Sequence, residues 1–239
     1  MTPQFNEIWV YLSASPLLGL TVTLLAYQAA FWLYRRSGVN PLANPVLIAV
    51  TILVLLLTLT ATSYETYFAG AQFVHFLLGP ATVALAVPLY TQFRRVRSLL
   101  LPVLAGLVAG SLTAALSAIA VARLFGASLP TQLSLAPKSV TTPIAMGIAE
   151  RIGGIPSLTA VLVIITGILG AVGARYIFDA MKLRDPAIHG FAIGVASHGI
   201  GTARAFQVSE QAGAFAALAM GLNGALTALL LPLVLGWLG

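Results

Sequence analysis

Long apolar stretches without charged residues alternate with short polar connections along most of this 239-residue chain. Five stretches contain no Asp, Glu, Lys or Arg: residues 8–34, 41–63, 66–93, 98–122 and 211–239. Each is near or above the roughly 20 residues that an α-helix needs to cross about 30 Å of hydrocarbon. Period-2 alternation of apolar residues is absent, and backbone groups in lipid must be satisfied within the segment. The pattern predicts an all-α, polytopic transmembrane protein.

Pro and Gly residues divide the predicted helices into two kinds. Five helices are predicted to be continuous, over residues 8–34, 41–63, 98–122, 157–181 and 212–237. Three further apolar stretches are interrupted near the middle: 66–93 at Gly79 and Pro80, 129–153 at Pro137 and Pro143, and 186–211 at Gly190, Gly194, Gly199 and Gly201. Backbone groups freed by such breaks are tolerated at membrane depth only where they face protein or a water-lined cavity. We therefore expect two or three broken or re-entrant helices.

A weak internal repeat relates two of these interruptions. Residues 78–83 align with residues 135–140, which places Gly79-Pro80 over Ala136-Pro137. We expect one transmembrane domain over residues 1–239, with N-terminal helices in 8–63 and repeat units over 64–126 and 127–182. The copies run parallel if the broken elements span the membrane, and they are inverted if those elements are re-entrant. Interrupted helices at matching positions are typical of secondary transporters.

Composition supports the membrane interpretation and excludes several kinds of site. The chain is 59% hydrophobic and 8% charged, whereas soluble domains average about 25% charged residues. It has no cysteine, and its three histidines lack metal-ligand spacing, so we expect no disulfide, metal or cofactor. The net charge of +6 comes from 12 Lys and Arg spread along the chain, which indicates cytoplasm-facing cations rather than nucleic-acid binding.

No common catalytic motif is present, and we expect no enzymatic activity. The sequence contains no P-loop, GxSxG elbow or zincin helix. Ser197 and His198 are adjacent, and adjacent side chains on a helix point about 100° apart, which suits a nucleophile and its base poorly.

The stretch around Lys138 is the first candidate binding site. A lysine in the middle of a membrane segment costs at least about 2.5–3.5 kcal/mol, so it should face a cavity or a partner. Ser139 is expected to cap a half-helix that begins at Val140, and its open amides, Lys138 and the hydroxyls of Thr141 and Thr142 suit a small carboxylate. Alternatively, Lys138 extends to the membrane interface or pairs with Glu150 or Asp179.

The second candidate site surrounds Ser197 and His198. It adds Gly199 and Gly201, where backbone can approach a ligand, Thr202 as the cap of a second half-helix, and Arg204 as a carboxylate partner. His198 is a candidate proton carrier because histidine titrates near neutral pH, and Glu150 is the other candidate. Alternatively, His198 makes a helix-packing hydrogen bond, and Arg204 pairs with Glu210 or lies at the interface.

In residues 137–150 and 197–203 the sequence resembles the LrgB/CidB family of bacterial membrane proteins, and the resemblance extends over nearly the whole chain. Members were first described as partners of small holin-like LrgA/CidA proteins that affect murein hydrolase activity and cell lysis. Other relatives are similar to a plant plastid glycolate/glycerate transporter and to bacterial pyruvate transport systems. The resemblance implies transport of two- and three-carbon carboxylates.

Together these observations predict a secondary transporter of small monocarboxylates such as pyruvate, glycolate, glycerate or lactate in a bacterial inner membrane. The expected partners are membrane lipid, the carboxylate and an LrgA/CidA-like protein, and assembly with further copies of the chain stays open. The alternative is a non-transporting regulator that acts on murein hydrolases and lysis through a holin-like partner.

Overall fold

The computed structural model describes residues 16–38 and 40–235, and every regular element within these ranges is a helix. Five helical stretches among these residues are long and apolar enough to cross a membrane: Leu17–Arg36, Tyr64–Thr91, Leu100–Leu124, Pro156–Ala180 and Glu210–Leu235. The second of these consists of three shorter helices in succession. The prediction of an all-α, multi-pass membrane protein is confirmed. The first residues of the helix predicted over 8–34 and the last of that predicted over 212–237 lie outside the described residues.

Contacts divide the chain into two compact units, residues 1–84 and 85–239. In the first unit, α1 (Pro16–Arg36) packs against both α2 (Pro45–Leu59) and α3 (Tyr64–Phe76), and α4 (Leu78–Ala84) follows. The helix predicted over 41–63 is too long, because Asn44 caps α2 by accepting from the amides of Val46 and Leu47. At 15 residues, α2 is shorter than the roughly 20 needed to span the hydrocarbon.

The interruption predicted at Gly79-Pro80 lies slightly earlier in the structure. The helix stops at Phe76 and restarts at Leu78, so Gly79 and Pro80 lie in the first turn of α4. Proline is tolerated there because the first amides of a helix have no intrahelical acceptor. Residues 78–83 are therefore helical, whereas residues 136–141, which cover most of the aligned stretch, form a connection between helices.

The second unit contains eight helices among its described residues: α5 (Ala86–Thr91), α6 (Phe93–Ser98), α7 (Leu100–Leu124), α8 (Leu129–Leu135), α9 (Thr142–Ile152), α10 (Pro156–Ala180), α11 (Pro186–Val208) and α12 (Glu210–Leu235). The continuous helices predicted over 98–122, 157–181 and 212–237 correspond to α7, α10 and α12. Their described ends differ from the prediction by two residues or fewer.

Helices α8 and α9 form a first hairpin, whose tip is residues 136–141. The helices have 7 and 11 residues, so they are about 10 and 16 Å long, and neither can span the hydrocarbon. After α9 the chain returns to α8, where the amide of Ile155 donates to Ser134 Oγ at 2.7 Å. A left-handed Gly153 (φ 85°) makes that return possible. The end of α9 therefore lies close to the last turn of α8.

Helix α11 is a second hairpin, whose tip is Ser197 and His198, both outside helical geometry. Before the tip, Gly190 packs on Ala212 and Gly194 packs on Ala216, so this half runs parallel to α12. After the tip, Thr202 lies near Met220 and Phe206 lies against Gly213, so that half runs antiparallel. Ile193 and Gly201 face each other across the hairpin.

Arg95 fastens the base of the second hairpin. Its Nη2 donates to both carboxylate oxygens of Asp185, at 2.8 and 3.0 Å, while Asp185 caps α11 through the amide of Ala187. With the amide oxygen of Gln211 facing the guanidinium, Nε and Nη1 of Arg95 donate to it at 3.0 and 2.7 Å. One arginine thus joins α6 to the beginnings of α11 and α12.

The contact between Gly190 and α12 gives a stability prediction. Changing Gly190→Ala should lower the melting temperature in detergent, because a Cβ there overlaps the main chain at Ala212, which cannot rotate away. Overpacking of this kind costs about 1–3 kcal/mol, which corresponds to a drop of roughly 2–10 °C. The control is Gly147→Ala in α9, where a Cβ meets open space. Equal melting temperatures for the two variants would contradict the parallel packing of α11 on α12.

Candidate functional site

The two hairpin tips lie beside each other because both are bonded to one side chain of α12. Nδ2 of Asn223 donates to the main-chain oxygen of Ser139 at 3.3 Å and to that of Val195 at 3.0 Å. Ser139 belongs to the first tip, and Val195 is two residues before the second. Asn223 is only 1% exposed. The fold therefore joins two interruptions that are far apart in sequence.

A directed series of hydrogen bonds orients the Asn223 amide. Thr227 Oγ1 donates to Asn223 Oδ1 at 3.4 Å, and Ser111 Oγ lies 3.2 Å from Thr227 Oγ1. Because a hydroxyl has one proton to donate, Ser111 must be the donor to Thr227. The series fixes which end of the amide faces the tips, and it extends the contact from α12 to α7.

The first tip presents Lys138 and the three hydroxyl residues that the sequence indicated. Lys138 is partly buried, and its Nζ donates to Ser139 Oγ at 3.4 Å. The prediction that Ser139 caps the half-helix is wrong, because the N-cap is Thr141 and α9 begins at Thr142. Pro143 lies in the first turn of α9 rather than at a break, and Pro137 lies within the tip.

The second tip presents Ser197 and His198, which are 1% and 4% exposed. His198 has a positive φ of 41°, which costs a non-glycine residue of order 1–3 kcal/mol and is found most often at functional sites. Nε2 of His198 lies 2.9 Å from the main-chain oxygen of Val163 in α10. A carbonyl can only accept, so this nitrogen carries a proton. The imidazole therefore makes the helix-packing bond that the sequence left as an alternative.

Two glycines of α10 allow the second tip to approach that helix. A Cβ on Gly167 would lie 2.7 Å from His198 Cε1, and one on Gly170 would lie 2.8 Å from Ser197 Cβ. A pocket of about 200 Å³ between α10 and α11 is lined by apolar residues and by Ser197, the one polar side chain in its lining. Ser197 is therefore the residue of the second tip that borders this pocket.

The glycines and the threonine after the second tip make packing contacts and hydrogen bonds that hold the hairpin in place. Gly201 packs against Ile193, and Gly199 lies near Met220 of α12. Thr202 Oγ1 donates back to the main-chain oxygen of His198 at 2.8 Å, within α11. The prediction that Thr202 caps a half-helix is therefore wrong, since its hydroxyl acts as a donor to the preceding turn.

The structure does not bring Glu150 or Arg204 to the tips. Glu150 is exposed and lies about 12 Å along α9 from Thr142. Arg204 follows His198 by about 9 Å along α11, and its Nη1 donates to Gln207 Oε1 at 3.1 Å, further from the tip. Asp179 was the other proposed partner of Lys138. Its Oδ2 lies instead 3.8 Å from Nε of Arg175. These charges lie on α9, α10 and α11 away from the tips rather than being gathered at one site.

The joined tips are closed and their polar groups are satisfied. Ser139, Ser197, Thr202 and Asn223 are at most 6% exposed, and among the described residues every fully buried side-chain nitrogen or oxygen has a partner. Lys138 supplies the one formal charge on either tip. The described residues contain no group of three His, Asp or Glu that could hold a metal ion. The two tips and their immediate neighbours therefore carry one cation and several hydroxyls.

Sequence reasoning missed Asn223, the residue that joins the tips. The signal was available, because residues 212–235 contain Asn223 and Thr227 as their only polar side chains. An amide inside an apolar membrane helix needs hydrogen-bond partners, and broken helices nearby provide free carbonyls.

Comparison with known proteins gives one consistent group of relatives. The model of the LrgB-like family matches residues 23–237. The chain is 36% identical over 219 residues to uncharacterized protein YxaC of Bacillus subtilis, covering 92% of this chain and 94% of that protein. It is 30% identical over 226 residues to antiholin-like protein LrgB of Bacillus cereus, covering 94% and 98%. No solved structure matches the chain.

The contact between Gly170 and Ser197 predicts that the second tip cannot pack against α10 when this glycine is replaced by a larger residue. Gly170→Ala should reduce activity in any assay of the protein by at least about tenfold, because Ser197 and the tip must move to admit the methyl group. The matched control is Gly173→Ala, one turn further along α10, where a Cβ has no neighbour within 4 Å. Comparable activity of the two variants would show that the second tip does not pack against α10.

Proposed function

This chain belongs to the LrgB-like family, and from its paired hairpins we propose that it is a secondary transporter of two- to three-carbon monocarboxylates. The observation that supports this proposal is the meeting of two helix interruptions, one of which carries Lys138. Interrupted helices that meet in the protein interior are typical of transporter binding sites. A protein that serves only as a scaffold gains nothing from a lysine at such a place, because burial of its charge is costly.

The groups at the tips fit one carboxylate with an adjacent oxygen. Lys138 provides the charge. Ser139 and Thr141 on one tip, Thr142 directly after it and Ser197 on the other tip provide hydroxyls that can donate to oxygen. An apolar ligand is disfavoured because these side chains give it no aromatic lining, and a divalent cation prefers several carboxylates, which the tips lack. Pyruvate, glycolate, lactate and glycerate have the required groups.

The proposal also covers the membrane and the partner, and membership of the family supports both. The protein acts in a bacterial inner membrane, and a small holin-like protein of the LrgA/CidA kind is its partner. The name of the Bacillus cereus relative, antiholin-like protein, favours a second candidate function. In that alternative the chain is a non-transporting regulator that acts through the same partner on murein hydrolases and cell lysis.

Uptake into proteoliposomes tests transport, and variants of Lys138 test whether this residue provides the charge that binds the carboxylate. The purified chain, with a holin-like partner in a parallel sample, should accumulate labelled pyruvate or glycolate, and excess short 2-oxo or 2-hydroxy acids should compete. Lys138→Ala should reduce uptake by at least about tenfold because the carboxylate loses its cation. Lys138→Arg should retain part of the activity, since the planar guanidinium differs from a point charge.

Lys182→Ala is the matched control, since Lys182 is exposed and is the only other lysine of the chain. It should transport like the unmodified protein. Absence of uptake for every short carboxylate, in a protein that still changes lysis in cells, would favour the regulator. Full uptake by Lys138→Ala would place the anion site elsewhere.

His198 is proposed to carry the coupled proton through its second ring nitrogen, since Nε2 already bonds to Val163. In His198→Gln the side-chain amide can still donate to that carbonyl but cannot titrate. Uptake by this variant should therefore lose most of its dependence on pH between roughly pH 5 and 8. An active variant with an unchanged pH profile would leave His198 only its packing role and make Glu150 the candidate.

A further inference from the structure

The two tips are held together, and a hydroxyl residue on each of them is buried. The amide of Asn223 is bonded to Ser139 and Val195 at once, so the two hairpins cannot separate while both bonds are intact. Ser139 and Ser197, the hydroxyl residues on opposite tips, are 6% and 1% exposed in this arrangement. Any ligand that touches both tips must therefore be admitted by the loss of at least one Asn223 bond.

We propose that Asn223 is a latch, a positioning residue that holds both hairpin tips closed and must release one of them when the site opens. The latch rests on the proposed function only for the identity of the ligand. Its geometry comes from two helices, because Thr227 orients the amide within α12 and Ser111 of α7 orients Thr227. Releasing one tip leaves the amide bonded to the other, so the hairpins can open one at a time.

The kinds of bond at the tip and at the base of the second hairpin favour a tip that can open. A neutral amide exchanges its protein acceptors for water or ligand oxygens at small net cost. Arg95, by contrast, binds Asp185 and Gln211 at the base of the second hairpin. The base is thus held by charge, and the tip is held by two neutral hydrogen bonds.

Cysteine accessibility tests the latch without any substrate. The chain has no cysteine, so one introduced thiol is the only site for a water-soluble maleimide. Ser139→Cys reports on the first tip, and its main-chain oxygen still accepts from Asn223. Ser134→Cys in the same hairpin is the reference, because Ser134 is 0% exposed and is bonded to the chain that follows α9 rather than to Asn223.

The two reporters are compared in full-length protein in liposomes, with and without changes on α12. Adding Asn223→Ala should speed labelling at position 139 about tenfold, the effect of losing two ordinary hydrogen bonds, and should leave position 134 unchanged. Thr227→Val, which removes the donor to Asn223, should give a smaller increase at position 139. Gly221→Ala is the control and should change neither rate, because a Cβ there meets open space.

The outcomes separate the latch from the transport proposal. Labelling at position 139 that is no faster in Asn223→Ala and Thr227→Val than in Gly221→Ala overturns the latch, whatever uptake shows. Equal acceleration at 134 and 139 in both variants also overturns it, because the hairpin is then loosened throughout. Selective acceleration at 139 together with a failure of all short carboxylates to move keeps the latch and rejects the substrate class.

Discussion

A helix that breaks inside a membrane exposes carbonyl groups that neither lipid nor the helix can satisfy, and Asn223 supplies the missing donor at both hairpins. Because a primary amide has two N–H groups, a single residue can serve two breaks at once. The position of Asn223 near the middle of α12 therefore determines where the two tips meet. The hairpins then have to approach α12 closely enough for their main chains to reach it.

Small residues provide that close approach. Gly190 and Gly194 bring the first half of α11 against the main chain of α12, and Gly167 and Gly170 of α10 accommodate His198 and Ser197. Hydrophobic burial does not drive helices together in lipid, so such contacts gain their stability from packing at short distance. The glycines that appeared in the sequence as helix breakers thus act mainly as packing surfaces, while His198 itself adopts the left-handed conformation at the tip.

Local signals in the sequence were sufficient for the long helices and for the regions of interruption. Pro137 and the residues around Ser197 act on the backbone at their own positions, which is why the tips lie near the predicted places. The site depends instead on which residues face each other across helices, and this information is not local. Arg204 and Glu150 share elements with the tips, yet helical rise carries them about 9 and 12 Å away. Asn223 lies in a helix that carried no interruption, so nothing local linked it to the tips.

The same interaction that makes the breaks tolerable also determines how firmly they are closed. An unsatisfied buried carbonyl is costly, so the closed tips are stable as long as Asn223 faces them. A hydrogen bond exchanged for another of similar quality changes the free energy little, so a ligand that brings its own hydrogen-bonding groups can replace one partner. A carboxylate held by Lys138 can accept from the Asn223 amide, because its oxygens are strong acceptors. In the proposed transporter, the anionic substrate therefore replaces one of the two carbonyls that Asn223 holds in the closed tips.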